Sequence, residues 1–477
     1  MDQTAIFVVL LASPAAGAAV SLLPRDGVEI LASMLSAGAA LAASLLLLVF
    51  GTAGDFGFFY SDGLTRIMAF TISAVFFTSV AYSAFYIKRI REPLIRFRWY
   101  YSLLDLFTFT MLLAVTVNDL GFIWIAVEAT TVSSALLVAL ERERTSIEAA
   151  WRYTLIVSAG LVASLLSVVF VYFSQGTLVI STLLTKPVAN DLLMAVAVGF
   201  ALVGYGTKAG IAPMHAWLPD AHSEAPSPVS AMFSGILLPT SIYALVRTFS
   251  LLQGSAVFDA MRNLLIGFGI FTALLAAVII GNQRNYKRML AYSSMENMGI
   301  ILVGFSLGGI GAIGAVVQIV AHAFAKSSAF YEAGNIVVAF DSKSMSAVQG
   351  VVNRLKFSGY LFTLSCFAVT GAPPFGVFVG EFMILSQAMS SGNILLTVLL
   401  AIAYVYAFIG LNRQSILMIF GQSNSPMVDA AGKAPPDHAV RENLLSLAIP
   451  LANLVISLVV GLYMIPVILQ AATGFAL

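Results

Sequence analysis

Apolar stretches of about 20 residues alternate with short polar segments along nearly the whole chain. Because a helix of that length crosses the hydrocarbon core of a bilayer, the pattern predicts an all-α polytopic membrane protein. We expect about 14 transmembrane helices, named spans 1 to 14 in chain order. They lie near residues 5–23, 28–50, 64–86, 99–117, 120–140, 152–173, 191–213, 229–251, 261–281, 288–307, 310–338, 358–387, 393–412 and 443–471. The short aromatic segment Gly51–Gly63, between spans 2 and 3, is expected to form a surface hairpin.

Lysine and arginine are distributed unevenly over the predicted loops. Positive residues accumulate in cytoplasmic loops, so their positions indicate the orientation of the chain. Roughly 18 of the 24 basic residues lie in or beside the loops after odd-numbered spans, namely Arg25, Lys88, Arg89, Arg91, Arg96, Arg98, Arg142, Arg144, Arg152, Arg284, Lys287, Arg288, Lys343, Arg354, Lys356, Arg413, Lys433 and Arg441. Towards the other side lie only Arg66, Lys186, Arg247 and Arg262. The pattern predicts cytoplasmic loops after the odd spans and both termini on the outer side.

Two of the predicted spans contain residues that interrupt a helix. These are Gly210 and Pro213 in span 7, and Gly371, Pro373 and Pro374 in span 12. Broken backbone is tolerated at membrane depth only where protein shields it or where it lines water. The two interrupted spans hold the same place in two runs of five, spans 4–8 and spans 9–13, which predicts two units of inverted topology. Such paired breaks are typical of the ion path in a transporter, and the alternative is two unrelated helix kinks.

Several ionisable residues lie inside the spans, where burial of a charge is costly. We predict that Glu128 in span 5 pairs with Lys208 beside the break of span 7, since opposite charges favour the charged form of both groups. His322 and Lys326 are four residues apart, so they share one face of span 11 and suit proton transfer. Glu381, shortly after the break of span 12, is predicted to end the path. A structural role as a cap or packing partner is the alternative for each.

Other polar residues are weaker candidates for a proton relay. His215 and His222 follow the break of span 7, together with Asp220 and Glu224. A metal site formed by these four is disfavoured because their spacing follows no compact ligand pattern, and a water-connected relay is the favoured interpretation. The carboxylates that we expect to be either relay members or packing partners are Asp105, Glu296 and Glu332.

Composition limits the chemistry of this chain. Hydrophobic residues make up 60% and charged residues 10%, and the formal net charge of +1 gives no reason to expect nucleic-acid binding. The single cysteine, Cys366, excludes an intrachain disulfide and any thiolate cage supplied by this chain. We therefore expect no metal site, no cofactor and no redox catalysis by this chain alone.

Four sequence motifs carry a resemblance to a known family. The segments TKAGIAPMHAWLPDAHSEAPSPVSA, KRMLAYSSMENMGI, HAFAKSSAF and GAPPFGVFVGEFMIL resemble the antiporter-like subunits of respiratory complex I, of Mrp-type cation/proton antiporters and of group-4 membrane-bound hydrogenases. The motif SSMENMGI is most similar to the hydrogenase and formate-hydrogenlyase branch. The resemblance implies a core of fourteen helices with two inverted five-helix repeats and a hydrated polar axis at mid-membrane. It also implies that the path residues are Glu128, Lys208, His322, Lys326 and Glu381.

One position departs from the family pattern. In GILLPTSIYALVR, Pro239 occupies the place where many members carry a lysine in span 8. The link between the two half-channels then lacks its usual ammonium. We expect His222, Tyr243 or water to bridge this link, or the coupling between the halves to be weaker.

The predicted organisation has four parts. Residues 1–98 hold spans 1 to 3, residues 99–251 form the first repeat, residues 261–412 form the second, and residues 413–477 hold a connector and span 14. The polar connector Gly421–Arg441 is expected to be a cytoplasmic linker or a docking strip for a partner.

The resemblance implies a proton-translocating subunit of a multi-subunit redox complex in the inner (cytoplasmic) membrane. The complex would be of the hydrogenase or NADH dehydrogenase type, and the ion would be a proton or sodium. Expected partners are other membrane subunits, further antiporter-like subunits among them, and peripheral iron–sulfur subunits. Two alternatives stay open: a subunit of an Mrp-type antiporter without redox partners, and a structural membrane subunit whose channel is disabled at Pro239.

Overall fold

The computed structural model describes residues 2–25, 27–90, 93–421 and 442–463. Apart from one short β-hairpin, the regular structure of this described part is helical. The elements in chain order are α1 (Gln3–Ser21), α2 (Val28–Phe50), β1 (Gly54–Phe56), β2 (Phe59–Ser61), α3 (Gly63–Tyr86), a 3₁₀ turn (Ile87–Arg89), α4 (Phe97–Thr116), α5 (Leu120–Val138), α6 (Arg144–Gln175), α7 (Ile180–Leu183), α8 (Asp191–Ala209), α9 (Leu218–Glu224), α10 (Ser227–Met232), a π-helix (Phe233–Leu237), α11 (Leu238–Ser250), α12 (Phe258–Ile280), α13 (Tyr286–Leu307), α14 (Gly309–Phe340), α15 (Val351–Arg354), α16 (Lys356–Val369), α17 (Gly376–Ser390), α18 (Ile394–Phe420) and α19 (Leu444–Leu462).

The predicted all-α membrane fold is confirmed. Twelve helical segments of the described chain are long and apolar enough to cross a bilayer. Two predicted spans have a different form: span 10 corresponds to α13, an almost wholly buried helix of 22 residues, and span 12 is divided into α16 and α17. The count of fourteen spans therefore stays a prediction. Most of the predicted connector, residues 422–441, and the end of span 14 lie outside the described residues.

Short polar residues fix where many of the helices begin. At seven of the described N-termini, the side chain of an Asp or Asn accepts a hydrogen bond from a backbone N–H of the first turn, which satisfies a group that the helix leaves unpaired. These caps are Asp2, Asp62, Asp119, Asn190, Asn285, Asn393 and Asn443. Apart from Asp2, each cap stands in a short segment between apolar stretches, so those helix starts follow from the sequence pattern.

Backbone bridges between loops indicate which loops share a membrane side. Two bridges join the segments after spans 2, 4 and 6, and two others join segments after spans 3, 5, 9 and 11. These pairs are Phe59–Val117 and Asp119–Val179 in the first group, and Pro93–Glu141 and Asn285–Ser344 in the second. Every bridge thus joins loops that the predicted topology places on one side. We name the side of the second group, where lysine and arginine concentrate, the basic side.

A buried ion pair lies at the opposite side from the basic side. The predicted hairpin between spans 2 and 3 is confirmed, with β1 and β2 antiparallel, and it leads directly into Asp62, the cap of α3. Arg247, near the end of α11, contacts Asp62 with both terminal nitrogens, at 2.5 Å from Oδ2 and 2.6 Å from Oδ1. Each side chain is only 2% exposed. This bidentate contact ties α3 to α11 in a dry environment.

Replacing Arg247 with methionine is expected to lower the free energy of unfolding by about 3–5 kcal/mol, because Asp62 would stay buried without its counter-charge. The matched control is Arg262→Met, which removes an exposed pair with Asp259 worth at most about 1 kcal/mol. Thermal unfolding of the detergent-solubilised protein measures both variants. Equal losses of stability in the two variants would contradict the buried pairing.

Candidate functional site

The two helix breaks have matching backbone geometry. Gly210 ends α8 with a φ of +78°, and Gly371 follows α16 with a φ of +69°, a region that residues with a Cβ disfavour. Each break contains a cis X-Pro bond, at Ala212–Pro213 and at Pro373–Pro374. Equivalent hydrogen bonds close the breaks, from Ile211 N–H to Gly206 O at 2.8 Å and from Ala372 N–H to Phe367 O at 3.0 Å.

Lys208 is fully buried in the last turn of α8, two residues before the first break. Its ammonium donates to Val127 O at 2.7 Å and to Thr131 Oγ1 at 2.5 Å, both on α5. Carbonyl groups at a helix C-terminus carry partial negative charge, which also favours a cation at this position. The break and α5 together supply the polar contacts that a charge needs where water is excluded.

Glu128 lies on the same helix as these acceptors but faces another neighbour. Its Oε1 accepts a hydrogen bond from Ser158 Oγ of α6 at 2.8 Å, and its Oε2 has no hydrogen-bonding partner in the described part of the chain. The predicted direct pair with Lys208 is wrong, because no described ion pair within 4.0 Å joins the two side chains. The carboxylate of Glu128 is instead turned towards Ser158 of α6, while Lys208 binds a backbone carbonyl and a hydroxyl of α5. Their charges interact at longer range.

Lys326 is the buried cation of the second predicted unit, and it is anchored in the same manner as Lys208. Its ammonium donates to Leu290 O at 2.6 Å and to Ser293 Oγ, both on α13. In each unit, a lysine from another helix therefore binds a carbonyl and a hydroxyl of the unit's second helix. That second helix also carries a carboxylate, which is Glu296 in α13.

Two buried histidines flank Lys326. His322 lies one helical turn before it on α14, beside the backbone of Ser234. His222 lies on α9 and stacks on Phe330, with ring centroids 5.5 Å apart. Both histidines are fully buried, and none of their ring nitrogens has a hydrogen-bonding partner among the described residues. The charge of Lys326 acts on both rings, so the three groups form one electrostatic cluster.

Polar groups continue from Lys326 towards Glu381. Glu296 Oε2 accepts a hydrogen bond from Asn297 Nδ2 at 2.8 Å, and Asn297 Oδ1 accepts one from Gln318 Nε2 of α14 at 2.9 Å. Glu381, 6% exposed on α17, interacts electrostatically with Glu296. Glu296 also interacts with the charge of Lys326. The candidate relay residue Glu296 thus stands between the other two ionisable groups.

The preceding ionisable residues, from Glu128 to Glu381, are named the row. The structure places two of the predicted relay residues away from it. Asp105 lies between α1, α2 and α4, where the hydroxyls of Ser33 and Ser36 donate to its carboxylate. Tyr243 lies in the middle of α11, with its ring 4.7 Å from the guanidinium carbon of Arg247. Its hydroxyl donates to Val115 O of α4 and lies 3.2 Å from Thr65 Oγ1 of α3, so its role as one of the possible bridges between the halves stays a prediction.

His215 and Glu332 lie at the margins of the row. His215 is half-buried beside the ring of Tyr292, just past the first break, and its Nδ1 has no partner within the described ranges. Glu332 is fully buried on α14, six residues nearer the basic side than Lys326.

Hydroxyl and amide groups that hold the row were not predicted from the sequence. Polar residues inside a membrane bundle are commonly bonded to a neighbouring helix, and α13 carries several of them although it is almost wholly buried. The overlooked residues are Thr131 and Ser293 as lysine acceptors, Ser158 as the donor to Glu128, the pair Asn297 and Gln318, and the pair Ser234 and Ser294, whose hydroxyl oxygens lie 2.6 Å apart.

Asp220 and Glu224, which follow the first break, form ion pairs at the basic side. Asp220 pairs with Arg152 at 3.1 Å and also with Arg288, and Glu224 Oε2 pairs with Lys343 at 3.1 Å. Burial raises the pKa of Glu224, but the charges of Lys343 and Lys287 and the hydrogen bonds from Lys343 and Thr145 together hold that pKa below its ordinary value. No cluster of three or more metal-ligating side chains occurs among the described residues.

Comparison with known proteins places this chain in a family. The family model described as NADH:quinone oxidoreductase/Mrp antiporter, TM, matches residues 117–410, which is more than half of the chain. The hydrogenase-4 component F homolog of Methylacidiphilum infernorum (isolate V4) is 31% identical over 393 residues, or 79% of this chain and 82% of that protein. The chain belongs to the NADH:quinone oxidoreductase/Mrp antiporter family.

A further relative is similar in sequence, and two solved structures are similar in fold. NADH-quinone oxidoreductase subunit M of Escherichia coli (strain K12) is 31% identical over 338 residues, 68% of this chain and 63% of that protein. A chain in the Mrp complex from Dietzia sp. DQ12-45-1b has a TM-score of 0.85 at 21% identity, covering 99% of this chain and 97% of that one. A chain of respiratory complex I from Thermus thermophilus has a TM-score of 0.78 at 22% identity, covering 97% and 98%. The resemblance expected from the sequence motifs is confirmed.

Within this antiporter-family fold, span 8 has an unusual backbone at the position of Pro239. The π-helix Phe233–Leu237 precedes Pro239, and every residue from Ser227 to Ser250 is buried. Pro239 has no N–H to donate, so a widened turn directly before it is compatible with the missing helical bond. His222 lies beside the start of this π-helix, with its ring centroid 5.8 Å from that of Phe233.

Replacing Gly371 with alanine is expected to destabilise this family member more than replacing Gly392 does. Both glycines have a positive φ, +69° and +74°, so the backbone cost is about 1–2 kcal/mol at either position. Only at Gly371 would the new Cβ collide with the Glu381 carboxylate, whereas nothing lies within 4 Å of a Cβ at Gly392. Thermal unfolding compares the two variants. Equal losses would mean that the carboxylate of Glu381 does not lie against the break.

Proposed function

We propose that this chain translocates protons across the membrane as the antiporter-like subunit of a multi-subunit complex whose other subunits transfer electrons. The observation that carries the proposal is a row of buried or half-buried ionisable side chains beside two broken helices. Its members are Glu128, Lys208, His222, His322, Lys326, Glu296 and Glu381. Such groups are costly within a bilayer, and a chain that retains a whole row has a use for charge there.

Electrostatic interaction between neighbours is the proposed coupling mechanism. Two unit charges about 8 Å apart, at an effective dielectric constant of about 20, interact by about 2 kcal/mol. That is more than a tenfold change in a protonation equilibrium. A partner subunit that disturbs Glu128 would therefore change the proton affinity of Lys208. The effect would pass through the Lys326 cluster and Glu296 to Glu381, with release on the side opposite the basic side.

Hydrogen-bonded water is proposed to connect the row. Glu128 Oε2 and the ring nitrogens of His222 and His322 have no protein partner in the described chain. Buried polar atoms are rarely left unpaired, and water commonly satisfies those that protein groups do not reach. Because Lys208 and Glu128 are not in direct contact, a proton would pass between them through such water.

The proposal also covers the partner subunits, the membrane and the internal repeats of the chain. The relatives named as a hydrogenase-4 component and as a subunit of NADH-quinone oxidoreductase support membrane partners of the redox type. Peripheral iron–sulfur subunits are the further partners that we propose. The basic side would face the cytoplasm, which places the protein in the inner membrane. Residues 99–251 and 261–412 would form the two inverted units, supported by their equivalent breaks and by α6 and α14, each 32 residues long.

Replacing Lys208 with methionine in the assembled complex is expected to lower proton translocation by about tenfold or more, since hydrogen bonds of a charged group are worth about 1.5–3 kcal/mol. Electron transfer in the partner subunits should continue. The exposed Lys186, changed to methionine, is the matched control and should leave translocation unchanged. Reconstituted vesicles with a pH-sensitive dye report protons moved per electron.

Each other outcome points to a different function. If the Lys208→Met variant still pumps protons normally, Lys208 is not part of the proton path and the proposed function is wrong. Cation/proton exchange driven by an imposed pH gradient, without an electron donor, favours the Mrp-type alternative. Transport gained in Pro239→Lys, while Lys208→Met and Glu128→Gln are silent, favours a structural subunit with a disabled channel.

A further inference from the structure

Glu332 is a fully buried carboxyl that the row does not use. Its Oε2 accepts a hydrogen bond from Asn335 Nδ2 at 3.0 Å, whereas its Oε1 has no hydrogen-bonding partner among the described residues. No ion pair of the described chain neutralises it. A carboxyl in this setting is stable when it is protonated and costly when it is charged. It would therefore hold a proton most of the time and release it only transiently.

The last described helix, α19, lies against α14 beside Glu332. The groups that surround this carboxyl are named the Glu332 pocket. Pro450 in α19 has no N–H, so the carbonyl of Ser446, four residues earlier, lacks its helical partner. Asn335 Nδ2 donates to that carbonyl at 3.2 Å. Ser328, one turn before Glu332, donates to Pro450 O at 2.8 Å. Polar contacts thus hold α19 against α14 on both sides of Glu332.

Glu442 stands where this pocket meets the basic side. Its carboxylate caps α16, because it accepts hydrogen bonds from the N–H groups of Phe357 at 3.2 Å and Ser358 at 2.8 Å. Ser358 also lies beside the Glu332 carboxyl, and the charges of the two glutamates interact. Since Glu442 is only half-buried, it can exchange protons with solvent.

A pair of hydroxyl groups lies between the levels of Glu332 and Lys326. The two residues are six positions apart on α14, about 9 Å along the helix axis. Between their levels, Ser328 Oγ lies 2.8 Å from Ser365 Oγ of α16. On the face towards α3, the hydroxyl of Tyr82 donates to Asn335 Oδ1 at 3.0 Å. Groups with exchangeable protons from α3, α14 and α16 therefore line the pocket, and α19 adds two carbonyl acceptors.

We propose that Glu332 takes up protons from the basic side and passes them to Lys326, with Glu442 as the acceptor nearest to solvent. A proton bound to Glu442 moves past Ser358 to the carboxylate of Glu332, where a new O–H bond forms. It leaves along the Ser328 and Ser365 hydroxyls to the neutral amine of Lys326. Glu332 returns to a carboxylate and Lys326 becomes an ammonium. This route rests on the proposed function, because it carries the same protons.

The test compares variants in the reconstituted complex, with protons moved per electron as the measurement. Glu332→Gln keeps the bond to Asn335 but holds no exchangeable acid proton, so it should lower proton movement by at least about tenfold. Glu332→Asp should recover part of the loss, which a merely structural role would not predict. Glu442→Gln should lower the rate mostly at high pH, where protons are scarce. The matched control is Glu29→Gln, a half-buried carboxyl on α2 at the same membrane side.

A parallel Lys326→Met variant separates this route from the proposed function. If Lys326→Met abolishes pumping while Glu332→Gln pumps normally, the uptake route is overturned and the proposed function stands. If both variants pump normally, the proposed function itself is overturned. A loss in Glu332→Gln that Glu332→Asp does not relieve, in a complex that assembles and unfolds like the original, also counts against a proton-carrying role.

Discussion

A charged side chain inside a bilayer must find its solvation in protein groups, and this constraint explains the main polar contacts of the chain. Arg247 meets it with a bidentate contact to Asp62, which leaves the charge fixed because arginine does not lose its proton. Lys208 and Lys326 meet it with a carbonyl and a hydroxyl each. Neutral acceptors hold an ammonium without locking it, so each lysine can still give up its proton. The difference separates a structural charge from two that can change state.

The helix breaks fit the sign of the charges beside them. Lys208 stands in the last turn of α8, where the helix dipole favours a cation. Glu381 lies in the second turn of α17, and helical side chains point back towards the N-terminus, so its carboxylate lies beside Gly371 in front of the helix start. That end of a dipole favours an anion. The lysine thus lies at the C-terminal end of one broken helix, and the carboxylate lies at the N-terminal end of the other. The helix dipole favours this sign of charge at each break.

The sequence was sufficient for the all-α membrane fold, for the two breaks and for the position of the main ionisable residues inside the bundle, because apolar length, Asp or Asn caps and Gly–Pro pairs act locally. It was not sufficient for the rotation of each helix about its axis. Lys208 binds the backbone carbonyl of Val127 and the hydroxyl of Thr131, whereas the carboxylate of Glu128 on the same helix binds Ser158 of α6. Close approach of helices sets such rotations, as between α6 and α8, where a Cβ at Gly160 would meet Thr207. Such contacts join residues far apart in the chain, and the apolar pattern does not encode them.

The residue at position 239 bears on how the two halves communicate. A lysine in span 8 would present a standing charge to both halves, whereas Pro239 presents none, and the π-helix before it leaves Ser234 bonded to Ser294 of α13. His222 lies beside the start of this π-helix, and its ring nitrogens lack protein partners in the described chain. A neutral imidazole accepts a proton at one nitrogen while it donates from the other. On the proposed function, the halves of this chain would then be linked by passage of a proton through His222, and electrostatic repulsion across span 8 would contribute little.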